Sequence, residues 1–538
     1  MTLLVGLLAT ALFALQAAPV VPPDCGKNPN RSTWFLKAGA SSETGIGTAA
    51  RPFGSLAEAQ RCSAERSTIV VLPAAPGSPP LDGGIVLKNG QKLLGVTSRK
   101  AAGRTGASAA RITNTGGSGD AVVLANDNEV AYLHIESPAG AGVLGDNVAG
   151  ANLHDLLITR ETAAVAATRL DSGLCRVVTT GDAVDNAAST LRGCHNFLLA
   201  ATKSPIMLLA DDRSGHASIA HTVRSVTILD SPAAENPDLL WSAAIYIIAA
   251  GHVEVTVNIE GTSIENSLRG IIARAADRAT VTLNVRDTRM DNLTSDGIAV
   301  ITGFICSGMK KGDTIPSLDV HCSISTPRGP LPPAPVSDAK VVLNALRFRF
   351  TDSKHKGRYE AGAIEPVAFD QGRSVIEVHI QDSDLIGAAA PGFFTWYFPG
   401  RPARDIIDFG CVNPKPGDPA KIGKDRAACR AQGFTSVGRN RIFGNSANAN
   451  PSSLWLKPLT EVVLQGPGRM MAQGNYWGDL HPRDGRGDAL GECSVGDGAT
   501  GEPIRVVENE RCRLWNITGQ GNPEGIDARF HLTKDPRP

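Results

Sequence analysis

Two stretches of this 538-residue chain say nearly the same thing 26 residues apart: VEVTVNIEGTSIEN at 253–266 and ATVTLNVRDTRMDN at 279–292. Val255, Val257 and Ile259 align with Val281, Leu283 and Val285. They alternate with Thr256, Asn258 and Glu260, and with Thr282, Asn284 and Arg286. A period of two is that of a strand with one buried face. A second apolar stretch follows in each copy, RGIIAR from 269 and DGIAVI from 296, so each repeat holds at least two short strands. The line returns as ALRFRFTDS (345–353), with Leu346, Phe348 and Phe350 expected inward, and as SVIEVHIQDSDL (374–385), with Ile376, Val378 and Ile380 inward. SVTILDS (225–231) fits upstream, and VAYLHIES from 130 and NLHDLLIT from 152 are looser relatives. Asp-Ser or Asp-Thr pairs at 230–231, 287–288, 352–353 and 382–383 suit turns, because their side chains bond the turning backbone.

Short strands recurring every 20–30 residues are the mark of a β-solenoid. A single coil cannot cover its own inward row; the next coil, one strand spacing away, pairs its backbone and buries that row. A β-sandwich would instead show hairpin turns between equal strands, and the Leu-and-Asn pattern of leucine-rich repeats is missing. The 57 glycines and few aromatics suit many tight turns. The expected class is therefore all-β, a parallel β-helix, with Val257, Leu283, Phe348 and Val378 in one buried stack. Residues 54–65, GSLAEAQRCSAE, carry a short helical pattern that would cap the open strand end.

Several stretches carry a family likeness. TGIGTAARPFGSLAEAQRCSAERSTIVVLP (44–73) resembles the lead-in and capping segment of secreted right-handed parallel β-helix proteins of the pectin-lyase-like superfamily. LDGGIVLKNGQKLLGV (81–96) resembles their first rung, IIDFG from 406 and SVGRNRIFGN from 436 a late rung, and GNYWGD from 474 the end of the repeats. Trp477 and Tyr476 would cover that end. The resemblance implies a right-handed coil and spans roughly 32–480. It says little of activity, since the fold hosts lyases, hydrolases, epimerases and non-enzymatic surface proteins. The expected organisation is a signal peptide at 1–18, an N-terminal cap and lead-in at 19–80, a parallel β-helix at 81–480 and an irregular C-terminal tail at 481–538.

Residues 1–23 hold no charged side chain, and LLVGLLATALFALQAA reads as an export signal cut after Ala17 or Ala18, with an uncleaved anchor as the alternative. No later segment is apolar enough to span a bilayer. The ten cysteines, an even number, fit an oxidising compartment, outside the cell, in the periplasm or at the cell surface. Pairing of sequence neighbours is the economical expectation: Cys25 with Cys62, Cys175 with Cys194, Cys306 with Cys322, Cys411 with Cys429, and Cys493 with Cys512. Lys plus Arg and Asp plus Glu both number 53, which argues against a nucleic-acid partner.

Chemistry is thinly written. ADDRSGHAS (210–218) offers Asp211, Asp212 and His216, but without the Asn-Thr-Asp of pectinolytic hydrolases it reads as a polar loop. Stacking the outward residues in the expected register gives two columns: Asn258, Asn284, Arg349, His379, and Thr256, Thr282, Arg347, Glu377. Arg347, Arg349, Glu377 and His379 are the candidate catalytic residues of a polysaccharide lyase or hydrolase, with His379 the better base because Arg scarcely deprotonates. A solvated outer face with Arg–Glu pairing is the plainer alternative. Asn258, Asn284 and the aromatics Trp396 and Tyr397 of FFTWYF (393–398) are candidate sugar contacts. Asp484, Asp488 and Glu492 of HPRDGRGDALGE (481–492) are candidate Ca2+ ligands, against an ordinary solvated tail. Two functions stay open: a secreted, monomeric protein that binds or acts on an acidic polysaccharide or cell-surface glycan, and a non-catalytic surface or envelope protein that uses the solenoid as a stiff rod.

Overall fold

The structure, a computed structural model, describes residues 25–96, 110–159, 204–229, 243–303, 338–351, 362–411 and 426–445 with small gaps, and short segments between 462 and 537. Three sheets run the length of a right-handed parallel β-helix. Among the described residues sheet A has thirteen strands, sheet B nine and sheet C twelve, and every recorded strand pair is parallel. One rung contributes a strand to each. In the repeat that opens the sequence, sheet A takes Glu254–Glu260, sheet B Ser263–Glu265 and sheet C Ile271–Ala275. The next rung supplies Thr280–Arg286, Arg289–Asp291 and Ile298–Thr302. Val255 pairs with Val281, Val257 with Leu283 and Ile259 with Val285, as the repeated line requires.

The inward rows form one continuous apolar core. Sheet C is buried on both faces from Ile206–Ala210 to Ile364–Ala368. Ile271, Ala273 and Ala275 belong to that core, and the outward Met207, Tyr246 and Ile272 are covered as well. That is why its strands read as unbroken apolar runs such as IYIIA rather than as alternation.

The corner between sheets A and B sets the register. It is made by one residue in the left-handed region followed by one inward residue. Tyr132, Asp155, Ser225, Gly261, Asp287, Arg347 and Asp382 take φ between 49 and 60°. The residues after them, from Leu133 to Phe348 and Ser383, are buried. This corner corrects the expected reading of ALRFRF. The sheet A strand is Lys340–Leu346, so the buried stack is Val257, Leu283, Leu343 and Val378, with His221 before it and Ile407 after it. Phe348 is buried at the corner instead. Phe350 lies in sheet B over Met290, with Leu385 next. The left-handed residue shifts the inward phase by one: Ala345 points in, Leu346 and Arg347 both face outward, and Phe348 points in again, so Leu346, expected inward, is only half-buried. SVTILDS straddles the same corner: Thr227–Leu229 is a sheet B strand, and the sheet A strand before it is Ser218–Arg224.

The helix expected at the start forms over Leu56–Cys62, here α1. Ser55 accepts from the Glu58 amide while the Glu58 carboxylate accepts from the Ser55 amide, and Leu56 and Ala59 are buried. Sheet A already includes Thr33–Leu36 and Thr68–Val71, which flank α1 in the chain. Two expected disulfides are present, Cys25–Cys62 and Cys411–Cys429. Of the other three expected pairs only the backbone of Cys493 is described, and the expected signal at 1–18 lies outside the described residues. Among those described, no helix is long and apolar enough to cross a membrane.

Candidate functional site

Parallel stacking turns the outer face of sheet A into straight columns, and the corrected register decides which side chains meet. The middle column runs Thr222, Asn258, Asn284, Asn344, His379, Asp408. Three asparagines on successive rungs form an amide ladder. Asn284 Nδ2 donates to Asn258 Oδ1 at 2.8 Å, and Asn344 Nδ2 donates to Asn284 Oδ1 at 2.8 Å. The neighbouring column runs Thr256, Thr282, Val342, Glu377. The face therefore presents hydroxyls and amides at one strand spacing, about 4.8 Å.

Beyond the ladder stands the most site-like pair of the described residues. His379 Nδ1 lies 3.1 Å from Asp408 Oδ2. Asp408 is fully buried, and its Oδ2 also accepts the amides of Thr435 at 2.5 Å and Ser436 at 2.7 Å, while Oδ1 accepts the Gly410 amide at 3.2 Å. A carboxylate so surrounded by donors is held in one orientation. It fixes the imidazole with the proton on Nδ1, and Nε2 has no hydrogen-bond partner among the described residues. Thr435 and Ser436 are brought there by the segment after Cys411. The short helix Arg426–Ala431, here α2, is tied by the Cys411–Cys429 disulfide. Ile406, Phe434 and Met471 pack with the two cysteines in a small second core. Glu377, two residues from His379 on the same face, is paired with Lys340 at 3.0 Å.

The structure joins His379 and Glu377 and separates them from the two arginines. Arg347 is the left-handed corner residue, with its guanidinium forked onto Asp287 at 2.5 and 2.6 Å; that contact holds the Asp287 carboxyl below the usual carboxylate range. Arg349 is in sheet B, paired in register with Arg289 and Asp384, so the expected adjacency of Arg349 and His379 does not occur. Their places in the columns are taken by Val342 and Asn344. Asp408, which the sequence reading passed over, was reachable: laying VIEVHI over RDIIDF puts it against His379.

Asn258 and Asn284 stand together in the ladder. Trp396, Tyr397, Asp484 and Asp488 lie outside the described residues, and of Glu492 only the backbone, in the strand Glu492–Ser494, is described. No cluster of metal-ligating side chains occurs among the described residues. From FFTWYF, Phe393 is in the core edge-on to Phe409 at 5.0 Å. Asp212 of the polar loop accepts the His252 amide at 2.7 Å, a structural contact between rungs. No family model matches the chain, and no curated protein matches its sequence.

Proposed function

We propose that this chain is exported and binds a polysaccharide along the outer face of sheet A, with His379 as the group that moves a proton on the bound chain. The observation that carries the reading is the His379–Asp408 pair. A neutral imidazole whose Nδ1 proton is committed to a buried carboxylate keeps a basic Nε2, and Asp408 stabilises the imidazolium formed when Nε2 takes a proton. Asparagine amides and threonine hydroxyls in line with it supply the donors and acceptors that sugar hydroxyls need. In an elimination, Nε2 would take the proton beside a uronate carboxyl, the C–H electrons would form the new C=C bond as the glycosidic C–O bond at the next carbon breaks, the departing sugar oxygen would take a proton from water, and an unsaturated uronate would remain. The chain would work as a monomer, since the face belongs to one protomer.

The test is a panel of polysaccharides read for binding and for the ultraviolet absorbance of unsaturated uronate. Asn284→Ala with Asn344→Ala should weaken binding at least fivefold. His379→Ala should keep binding and lose the absorbance. A protein that retains no polymer would defeat this reading. That result would favour a stiff surface rod, which the thirteen strands of sheet A support: twelve spacings of ~4.8 Å make a rod of roughly 58 Å.

A further inference from the structure

Sheet B carries a second charged surface that the His379 site does not use. Its outward column on successive rungs is Ser263, Arg289, Arg349, Asp384, Arg441. Arg289 and Arg349 are direct register partners. Like charges directly opposite one another in a sheet are destabilising, and the buried neighbour does little to relieve them. Asp384 is 1% exposed, and both its oxygens are already taken by Arg441, through Nε and Nη2 at 2.9 Å each, with Arg537 of the C-terminal segment on it as well. Arg349 approaches it only to 3.7 Å and makes no closer ion pair among the described residues. Arg289 is paired with Asp291 on its own strand. Both arginine side chains remain about three-fifths exposed, at 62% and 61%. The crowding is felt nearby: burial first, then Arg441 and Arg349, push the Arg537 guanidinium below its ordinary range, against the pull of Asp384.

We propose that Arg289 and Arg349 form an oxyanion clamp on sheet B that takes a sulfate ester of a sulfated polysaccharide. Two guanidinium forks on register-paired residues, whose backbones lie one strand spacing, about 4.8 Å, apart, offer donors at two heights. A planar carboxylate fills one fork with its two oxygens. A sulfate ester has three terminal oxygens in a tetrahedral array, so it bridges both forks and places its charge between two cations. Arg441 and Arg537 add positive potential behind them. The clamp is separate from the His379 face and stands whether or not that face binds sugar.

The full chain should be titrated onto immobilised heparin across a salt series, with polygalacturonate, dextran and duplex DNA as comparison polymers. Heparin should bind tightest, with an affinity that falls as salt rises, and dextran should not bind. Arg289→Ala with Arg349→Ala should lose at least tenfold in affinity and flatten the salt dependence, with a melting temperature equal to or above that of the parent. Arg349→Lys, which keeps the charge and loses the fork, should lose part of the affinity and serves if the double variant does not fold. His379→Ala should bind heparin as the parent does. The proposal is overturned by unchanged heparin affinity in the arginine variants, by polygalacturonate or DNA binding as tightly as heparin, or by heparin binding that vanishes with His379.

Discussion

Leu283→Ala should destabilise the protein by about 2–5 kcal/mol, the usual cost of emptying a fully buried leucine site, read as a lowered urea midpoint. Leu283 has no exposed surface and sits in the inward column between Val257 and Leu343. The rungs above and below are fixed by ladder hydrogen bonds along both strands, so the backbone cannot close over the space. Thr282→Ala, one residue away on the outer face, is the control and should change stability by no more than about 0.5 kcal/mol. If the two substitutions cost the same, the assignment of inward and outward residues in this strand is wrong.

The second large effect is a loss of stability in mild acid. His221 lies in the same inward column, against Val257, with 4% of its surface exposed and its Nδ1 without a partner among the described residues. Burial pushes its pKa from 6.5 down to about 4. The unfolded chain thus binds a proton that the folded chain refuses between those two values. Stability from this residue is complete above pH 6.5, falls as the pH drops toward 4, and levels below that. The window is worth about 3 kcal/mol. His134, also pushed down chiefly by burial, adds in the same direction. His221→Val should remove most of the slope between pH 6.5 and 4.5, where few carboxylates titrate, as measured by melting temperature against pH. A variant that keeps the full slope would place the proton uptake elsewhere.

Both effects arise from the part of the fold that was easiest and hardest to see in the sequence. Val255, Val257 and Ile259 over Val281, Leu283 and Val285 gave away the rung, because a half-buried strand alternates and its copy alternates in phase. His221 and Ala220 hid the rung before it, since SIAHTVR puts a polar ring where the pattern calls for an aliphatic one. The corner was illegible for a different reason. Positive φ is carried by Tyr, Asp, Ser, Gly and Arg in turn, so no residue type marks it, and ALRFRF alternates straight through. That one misplaced bend carried Arg347 and Arg349 onto the wrong face. His379 stayed where expected, because its own strand has no bend before Asp382. Asp408 is polar on a strand of buried residues, and its role depends on amides of Thr435 and Ser436 that no local pattern announces.

The A–B corner also bears on how such a chain could grow. On the seven rungs from Tyr132 to Asp382 it is the same length, so a tandem duplication of residues 254–279 would bring its own strands, its own bend at Gly261 and its own Asn258. The new coil would find a compatible coil on either side, and the molecule would lengthen by about 4.8 Å without a new core having to be invented. A gene could thus set the reach of this protein by copy number, in steps of one asparagine.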